Sequence, residues 1–223
     1  MIPLRDVIPT RTVPVVTSGI IGLNVVVFLY EQTLGPRALD LFVRQYGVVP
    51  VDFAWVNVVT SMFLHGGWAH VGGNMLYLWI FGDNVEDRLG HVRYLIFYLL
   101  CGTAAALAQA YIRTDSTVPM IGASGAISGV LGAYLVLFPH SRVLTLIPIV
   151  FFLQIVEVPA VVLLGLWFLM QLVSGVGSLG ARADVGGVAF WAHVAGFLAG
   201  LLLVNVFKQP ERQTVEWWDG VRR

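Results

Sequence analysis

Residues 121–138 read IGASGAISGVLGAYLVLF, an apolar segment that carries Ser124 near its start. Other apolar segments place His70, with Asn74 four residues later, and His193 close to one end. Polar groups are costly in hydrocarbon, so polar side chains inside membrane spans are expected to be functional. The serine and the histidines therefore predict a reactive site within a membrane.

The composition independently indicates a membrane protein. Of 223 residues, 57% are hydrophobic and 12% charged, and the mean hydropathy is +0.81, whereas soluble domains contain about 25% charged residues. We predict one membrane domain over residues 15–207, with cytoplasmic tails at 1–14 and 208–223. The zero net charge gives no indication of a nucleic-acid partner, and the single cysteine, Cys101, excludes an internal disulfide.

The hydropathy pattern predicts an all-α, polytopic fold. A span needs about 20 apolar residues to cross the hydrocarbon. Six segments come close to this length, at about 15–33, 69–86, 92–112, 121–138, 157–176 and 187–207. Residues 143–156 are predicted to form an interfacial connection, because Pro159 suits the first turn of the next helix. Glu157 should then lie near that helix N-terminus.

The basic residues predict the orientation. With the N-terminus inside, nine lysines and arginines fall in inner segments and four in outer segments. This favours both termini in the cytoplasm. Spans two, four and six then run inward from the outer surface. At about 1.5 Å per residue, Ser124, Asn74 and His193 each lie roughly 5 to 10 Å below that surface.

This shared depth predicts an enzyme site. Serine needs an adjacent base, and a neutral histidine can take the hydroxyl proton and return it to a leaving amine. Ser124 and His193 fit these roles as a dyad, because spans four and six contain no carboxylate to orient the base. His70 and Asn74 share a helical face and could stabilise the oxyanion together with the Ser124 backbone N–H.

The motifs in spans two, four and six together resemble the rhomboid family of intramembrane serine proteases. They are His70-Val-Gly-Gly-Asn74, Gly122-Ala-Ser-Gly125 and Ala192-His-Val-Ala-Gly196 continuing to Gly200. The resemblance covers about residues 15–207. It implies a six-helix bacterial-type bundle that cleaves transmembrane proteins without a cofactor or a metal ion. It also implies Ser124 as nucleophile, His193 as general base, and His70 and Asn74 as oxyanion donors.

Two positions depart from the family pattern. Many members have an aromatic residue four places after the serine, where it packs on the catalytic histidine, but this chain has Ser128. Another neighbour is then needed to orient the histidine. Val56 follows Trp55 where many members have arginine, so anchoring of that loop by an arginine is in doubt.

Span five is the expected entry route for substrates. One of its faces offers lipid-like packing without obvious polar contacts to other helices. The residues on this face are Val161, Leu163, Leu166, Phe168 and Leu169.

The same residues are compatible with other functions. Ser124 among glycines could be a packing residue, and His193 a hydrogen-bonding interface residue above the Gly196-x-x-x-Gly200 motif. A rhomboid-like pseudoprotease would bind transmembrane helices without cutting them, but it is expected to lose the serine or the histidine. A transporter needs polar groups that continue to the inner face. A zinc protease needs ligands spaced as in His-Glu-x-x-His, a pattern this sequence lacks. An aspartyl protease needs two aspartates at membrane depth.

The sequence therefore predicts a serine endopeptidase that acts within the membrane. Its expected partners are transmembrane substrates and the lipid bilayer, with no nucleic acid. Its expected location is the bacterial plasma membrane, with the scissile bond near the outer face.

Overall fold

The computed structural model describes residues 1–149, 152–180 and 187–210, and its architecture is mainly helical. The helices are α1 (Val15–Thr33), α2 (Pro36–Tyr46), α3 (Trp55–Thr60), α4 (Trp68–Leu89), α5 (His91–Ile112), α6 (Ser124–Leu137), α7 (Ala160–Ser178) and α8 (Phe190–Phe207). Short 3-10 turns lie at Pro50–Asp52 and Ser61–Phe63.

Each of the six predicted spans contains one helix: α1, α4, α5, α6, α7 or α8. Four of the described helices, α1, α5, α7 and α8, are long and apolar enough to cross a membrane. Helix α6 is apolar but has only 14 residues, and α4 has 22 residues with a charged carboxyl end. These helices make the chain an integral membrane protein.

The all-α prediction is wrong in one respect, because the fold includes a three-stranded antiparallel sheet. Its strands are β1 (Ile2–Asp6), β2 (Arg142–Ile149) and β3 (Phe152–Pro159), in the order β1-β2-β3. The predicted interfacial connection thus contains most of a β-hairpin, and the N-terminal tail supplies its third strand. A backbone without helix must satisfy its polar groups elsewhere, and here strand pairing does so. Glu157 lies in β3, paired with Leu144, and α7 begins three residues later at Ala160, so Glu157 is near a helix N-terminus as predicted.

The N-terminal strand is attached to the helices through Asp6. Its buried carboxylate accepts hydrogen bonds from Asn84 Nδ2 (2.9 Å) in α4 and Tyr134 Oη (2.6 Å) in α6. Burial raises the pKa of Asp6 to about 6, although these hydrogen bonds oppose the increase. The predicted tail 1–14 is therefore partly structured. Most of the predicted tail 208–223 lies outside the described residues.

The carboxyl end of α4 anchors the start of α1. Glu86 is fully buried, and its carboxylate accepts hydrogen bonds from the backbone N–H groups of Val16 (2.9 Å) and Thr17 (2.8 Å). Asp87 accepts from the backbone of Arg11 (2.5 Å) and Thr12 (2.9 Å). The first N–H groups of a helix lack intrahelical partners, and a carboxylate both binds them and complements the helix dipole. These contacts fix α1 against α4.

Helix α6 lies at the centre of the bundle and packs closely on α8. A Cβ on Gly200 would lie 1.9 Å from the Gly129 carbonyl oxygen, and a Cβ on Gly132 would lie 2.3 Å from the Phe197 carbonyl oxygen. Only glycine permits backbones to approach this closely, as in small-residue interfaces of membrane helices. This packing confirms that the glycines bring helices together, and it fixes the relative position of Ser124 on α6 and His193 on α8.

Candidate active site

Ser124 and His193 are in hydrogen-bond contact. The distance from His193 Nε2 to Ser124 Oγ is 2.8 Å, although the residues are 69 positions apart. Ser124 is the first residue of α6, and His193 lies in the first turn of α8. Both side chains are partly buried. The geometry is that of a nucleophile beside its base.

The segment before Ser124 is held by backbone hydrogen bonds. Val48 and Met120 exchange two of them, at 3.0 and 2.8 Å, and the Gly122 N–H donates to the Ser61 carbonyl oxygen at 2.9 Å. Gly122 has φ +119°, a conformation that favours glycine. These contacts fix the backbone just before α6, where the hydroxyl of Ser124 faces His193.

The other nitrogen of His193 contacts Gln171 in α7. The distance from Nδ1 to Gln171 Oε1 is 2.8 Å. An amide oxygen only accepts hydrogen bonds, so Nδ1 carries the ring proton and Nε2 presents its lone pair to the Ser124 hydroxyl. Trp167, one turn earlier in α7, places its ring 5.9 Å from the histidine ring at an interplanar angle of 35°.

Gln171 was not among the residues predicted from the sequence. A glutamine within an apolar span was the signal that could have identified it, since polar residues are rare there. Ser128 does not replace the missing aromatic residue, because its hydroxyl donates to the Ser124 carbonyl oxygen at 2.6 Å.

His70 faces the space above Gly122. The Gly66 backbone N–H donates to His70 Nδ1 at 3.2 Å, so Nε2 carries the ring proton. A Cβ on Gly122 would lie 2.7 Å from His70 Nε2 and 3.7 Å from Ser124 Oγ. Because Gly122 has no Cβ, a space remains beside it, and this space is bordered by both His70 Nε2 and Ser124 Oγ.

Asn74 lies one turn after His70 and is buried. Its Nδ2 donates to the His70 carbonyl oxygen at 3.0 Å, which engages one of its two N–H groups. The first N–H groups of α6, including that of Ser124, also lack partners within the helix. The start of α6, His70 and Asn74 thus each carry an N–H group that is able to donate a hydrogen bond.

His65 lies in the loop before α4 and packs behind His70. Its side chain is 3% exposed, and its ring centroid lies 4.9 Å from that of His70. The His65 backbone N–H donates to the Glu31 carboxylate at 3.2 Å. Burial, and secondarily the neighbouring His70, lower the pKa of His65 to about 4. His65 is thus neutral at physiological pH.

Two cavities differ in size and position. The one beside Ser124 has a volume of about 20 Å³ and is lined largely by small residues, including Gly102, Ala105 and Ala192. This volume is enough for about one water molecule. A larger cavity, of about 760 Å³, lies at the opposite end of α6, near Phe138 and Arg11. Only the small cavity adjoins the candidate active site, so cavity size does not identify that site here.

The predicted entry face of α7 is only partly exposed. Val161, Leu166 and Leu169 are exposed, at 50%, 44% and 53%. Leu163 is buried, and the Phe168 ring stacks on a phenylalanine of α8 at 4.7 Å. The prediction of no polar contacts concerned this face alone, and Gln171, which is outside it, contacts His193 of α8.

The chain is similar to several known rhomboid proteins. Rhomboid protein 1, mitochondrial, of Saccharomyces cerevisiae is 29% identical over 190 residues, which is 82% of this chain and 51% of that protein. Rhomboid protease GluP of Bacillus subtilis is 33% identical, over 55% of this chain and 24% of that protein. Rhomboid protease AarA of Providencia stuartii is 30% identical, over 52% of this chain and 48% of that protein.

The chain thus spans about half of the length of two of these relatives and about a quarter of the third. Residues 52–210 match the family described as Rhomboid domain. Because this match covers more than half of its residues, the chain belongs to the rhomboid family.

Proposed function

We propose that the protein is an intramembrane serine endopeptidase that cleaves transmembrane proteins, with Ser124 as nucleophile and His193 as general base. The observation that carries this proposal is the 2.8 Å contact between Ser124 Oγ and His193 Nε2. A serine hydroxyl is a weak nucleophile until an adjacent base accepts its proton. The names of two bacterial relatives, which are called rhomboid proteases, support the same chemistry.

The proposed reaction follows from the positions of the two side chains. Ser124 Oγ attacks the scissile carbonyl carbon while its proton moves to His193 Nε2. The tetrahedral intermediate collapses, the C–N bond breaks, and His193 gives the proton to the leaving amine. A water molecule then attacks the acyl-enzyme, with His193 again as base, and the carboxyl product leaves while Ser124 regains its proton.

The oxyanion of the intermediate needs donors that are already in place. We propose His70 Nε2–H, the free N–H of Asn74 and the Ser124 backbone N–H for this role. Losing one such donor typically costs about 10² to 10³ in kcat. The position of His70 Nε2 next to the space above Gly122 supports the assignment.

The proposed topology has six membrane-crossing helices over residues 15–207, with both ends of that domain on the cytoplasmic side of a bacterial plasma membrane. The excess of basic residues in the inner segments supports it. Ser124 then lies near the outer surface. A peptide bond within an intact helix is enclosed and already hydrogen-bonded, so the substrate must unwind locally before cleavage. The small residues around the cavity beside Ser124 support a preference for a small side chain before the cut.

The direct test is cleavage of a reporter transmembrane segment by the purified protein in liposomes. The Ser124→Ala and His193→Ala variants should be inactive, whereas Ser18→Ala and His140→Ala should match the wild type, because both control side chains are exposed and far from the site in sequence. A fluorophosphonate should label Ser124 in the wild type. Full turnover by either dyad variant, or labelling at another serine, would contradict the proposal.

The same experiment distinguishes a protease from a pseudoprotease. It would bind the reporter segment, and its binding would be unchanged by Ser124→Ala, but no product would form with any transmembrane segment tried. Its wild type would also fail to react with the fluorophosphonate.

A further inference from the structure

Gln171 connects a third helix to the proposed dyad. Ser124 starts α6, His193 lies in α8, and Gln171 lies in α7. The two contacts of the imidazole, Nε2 to Ser124 and Nδ1 to Gln171, are both 2.8 Å. His193 is therefore held at both ring nitrogens by side chains from two different helices.

A histidine base works only in one tautomer. If Nδ1 lost its partner, the proton could move to Nε2, and Nε2 would then donate to the serine instead of accepting its proton. With its amide oxygen toward Nδ1, as in the structure, Gln171 can only accept, so this contact favours the tautomer with the proton on Nδ1. The contact also opposes rotation of the ring away from Ser124. These are the two tasks that the third member of a catalytic triad performs.

Two further observations favour a specific contact over chance packing. Gln171 is the single glutamine in the sequence of α7, which is otherwise largely apolar, and a polar amide in an apolar span is costly unless it is hydrogen-bonded. Trp167 precedes it by one helical turn and faces the same imidazole at 5.9 Å. Two residues on the same face of α7, Trp167 and Gln171, thus contact His193.

We infer that Gln171 is the positioning residue of the active site, setting the tautomer and orientation of His193 in an arrangement of Ser124, His193 and Gln171. This inference rests on the proposed function. Gln171 does not touch the reacting atoms. It differs from the usual carboxylate in being neutral, so it orients the base without a full negative charge facing the imidazolium that forms during the reaction.

The inference has a structural consequence for α7. Because the partner of Nδ1 is on α7 and the ring is on α8, displacement of α7 from α8 would separate Gln171 from His193. The base is then correctly oriented only when these helices are packed together. Turnover therefore requires α7 to be in the position that the structure describes.

The test compares Gln171→Leu, Gln171→Glu and the control Met170→Leu. Leucine has a similar size but cannot accept a hydrogen bond, glutamate keeps an acceptor oxygen, and Met170 is 54% exposed on the same helix. We expect Gln171→Leu to lower kcat by about 10- to 100-fold, by analogy with the range seen when a metal-binding histidine loses its orienting partner. KM should change by less than about twofold, because the lost contact orients the base without binding substrate. Gln171→Glu should recover most of the kcat, and Met170→Leu should match the wild type.

A second measurement does not depend on proteolysis. Nitrogen-15 spectra of histidine-labelled protein in micelles should show His193 with its proton on Nδ1 in the wild type and in Met170→Leu, and partly on Nε2 in Gln171→Leu. An unchanged spectrum in Gln171→Leu, or wild-type kcat in that variant, would overturn the inference. Absence of turnover in the wild type would instead contradict the proposed protease, and with it the catalytic role of Gln171, while the spectra would still establish whether Gln171 sets the tautomer.

Discussion

The Nε2 atom of His70 occupies the side of Gly122 where any other residue would carry its Cβ. A Cβ there would lie 2.7 Å from Nε2, and the backbone of Gly122 has φ +119°. Both steric crowding and backbone strain therefore require glycine at this position. The glycine also keeps open the space between His70 and Ser124 in which we place the oxyanion.

Replacing Gly122 by alanine should inactivate the site without unfolding the protein. The new methyl group would displace His70 and occupy the space intended for the oxyanion. We expect kcat to fall by at least about 10² to 10³, the cost of losing one oxyanion donor. Liposome kinetics would measure it, with Gly19→Ala as control because a Cβ on Gly19 meets nothing within 4 Å. Wild-type kcat in Gly122→Ala would show that the oxyanion lies elsewhere.

Asn74→Ala should slow cleavage rather than abolish it. The remaining donors, His70 and the Ser124 N–H, would still stabilise part of the charge, so kcat should fall by about 10² to 10³ with KM nearly unchanged. Asn205→Ala is a suitable control, because that asparagine is exposed on α8. If Asn74→Ala cleaves several substrates at the wild-type rate, Asn74 has only its structural hydrogen bond to the His70 backbone.

The contact between α6 and α8 should tolerate no side chain at Gly200. A Cβ there would lie 1.9 Å from the Gly129 carbonyl oxygen, so Gly200→Ala must separate the helices that carry Ser124 and His193. We expect a loss of about 1 to 3 kcal/mol in the free energy of unfolding, as for overpacked cores, and lower activity. Unfolding in mixed micelles would measure it.

Gly165→Ala is the matched control for this prediction. A Cβ on Gly165 meets nothing within 4 Å, and alanine favours a helix over glycine by up to about 1 kcal/mol. Gly165→Ala should therefore be neutral or stabilising. Equal stability of the two variants would contradict the close packing of α6 on α8.

Asp6 should make stability depend on pH. Its pKa is raised from 3.8 to about 6, so the folded state binds a proton that the unfolded state releases. The stabilising effect of this proton is complete below pH 3.8 and is lost as the pH rises through about 6, a change of at most about 3 kcal/mol. The Asp6→Asn variant lacks this dependence and keeps an acceptor oxygen.

The measurement is the difference in free energy of unfolding between the wild type and Asp6→Asn from pH 4 to 8. Effects of titrating groups remote from Asp6, such as His65, are common to both proteins and cancel, whereas Asp83 interacts with the Asp6 charge and belongs to the measured difference. The wild type should lose stability relative to the variant as the pH rises. A difference that is constant with pH would mean that the Asp6 carboxyl has an ordinary pKa.

Cleavage should occur near the outer end of the substrate span and should depend on local helix stability. Introducing glycine or proline close to the cut should speed cleavage, and leucine should slow it, because leucine favours the helix over glycine by up to about 1 kcal/mol per position. Mass spectrometry of the products locates the cut, and the same substitutions at the inner end of the span serve as controls. Cuts near the cytoplasmic end would contradict the proposed topology, and rates that ignore the substitutions would contradict the unwinding step.

The sequence by itself determined the membrane helices and the candidate residues of the proposed site. Each of the six apolar segments contains a helix, because a long apolar run has few alternatives where backbone groups must bond within the segment. Ser124, His70, Asn74 and His193 were also predictable, since polar groups stand out in apolar segments. The structure brings Ser124 and His193 into contact as expected.

Only the tertiary structure decided how the strands pair and which side chains contact the residues of the site. The sheet pairs β1 with β2, so that Ile2 lies opposite Leu146, and no local pattern reveals so distant a partner. Gln171 is 22 residues from His193 and on another helix, so its contact depends on the rotation of α7 about its axis and on its packing against α8. Hydropathy predicts that a segment crosses the membrane, but which side chain meets which neighbour is set by how the helices pack.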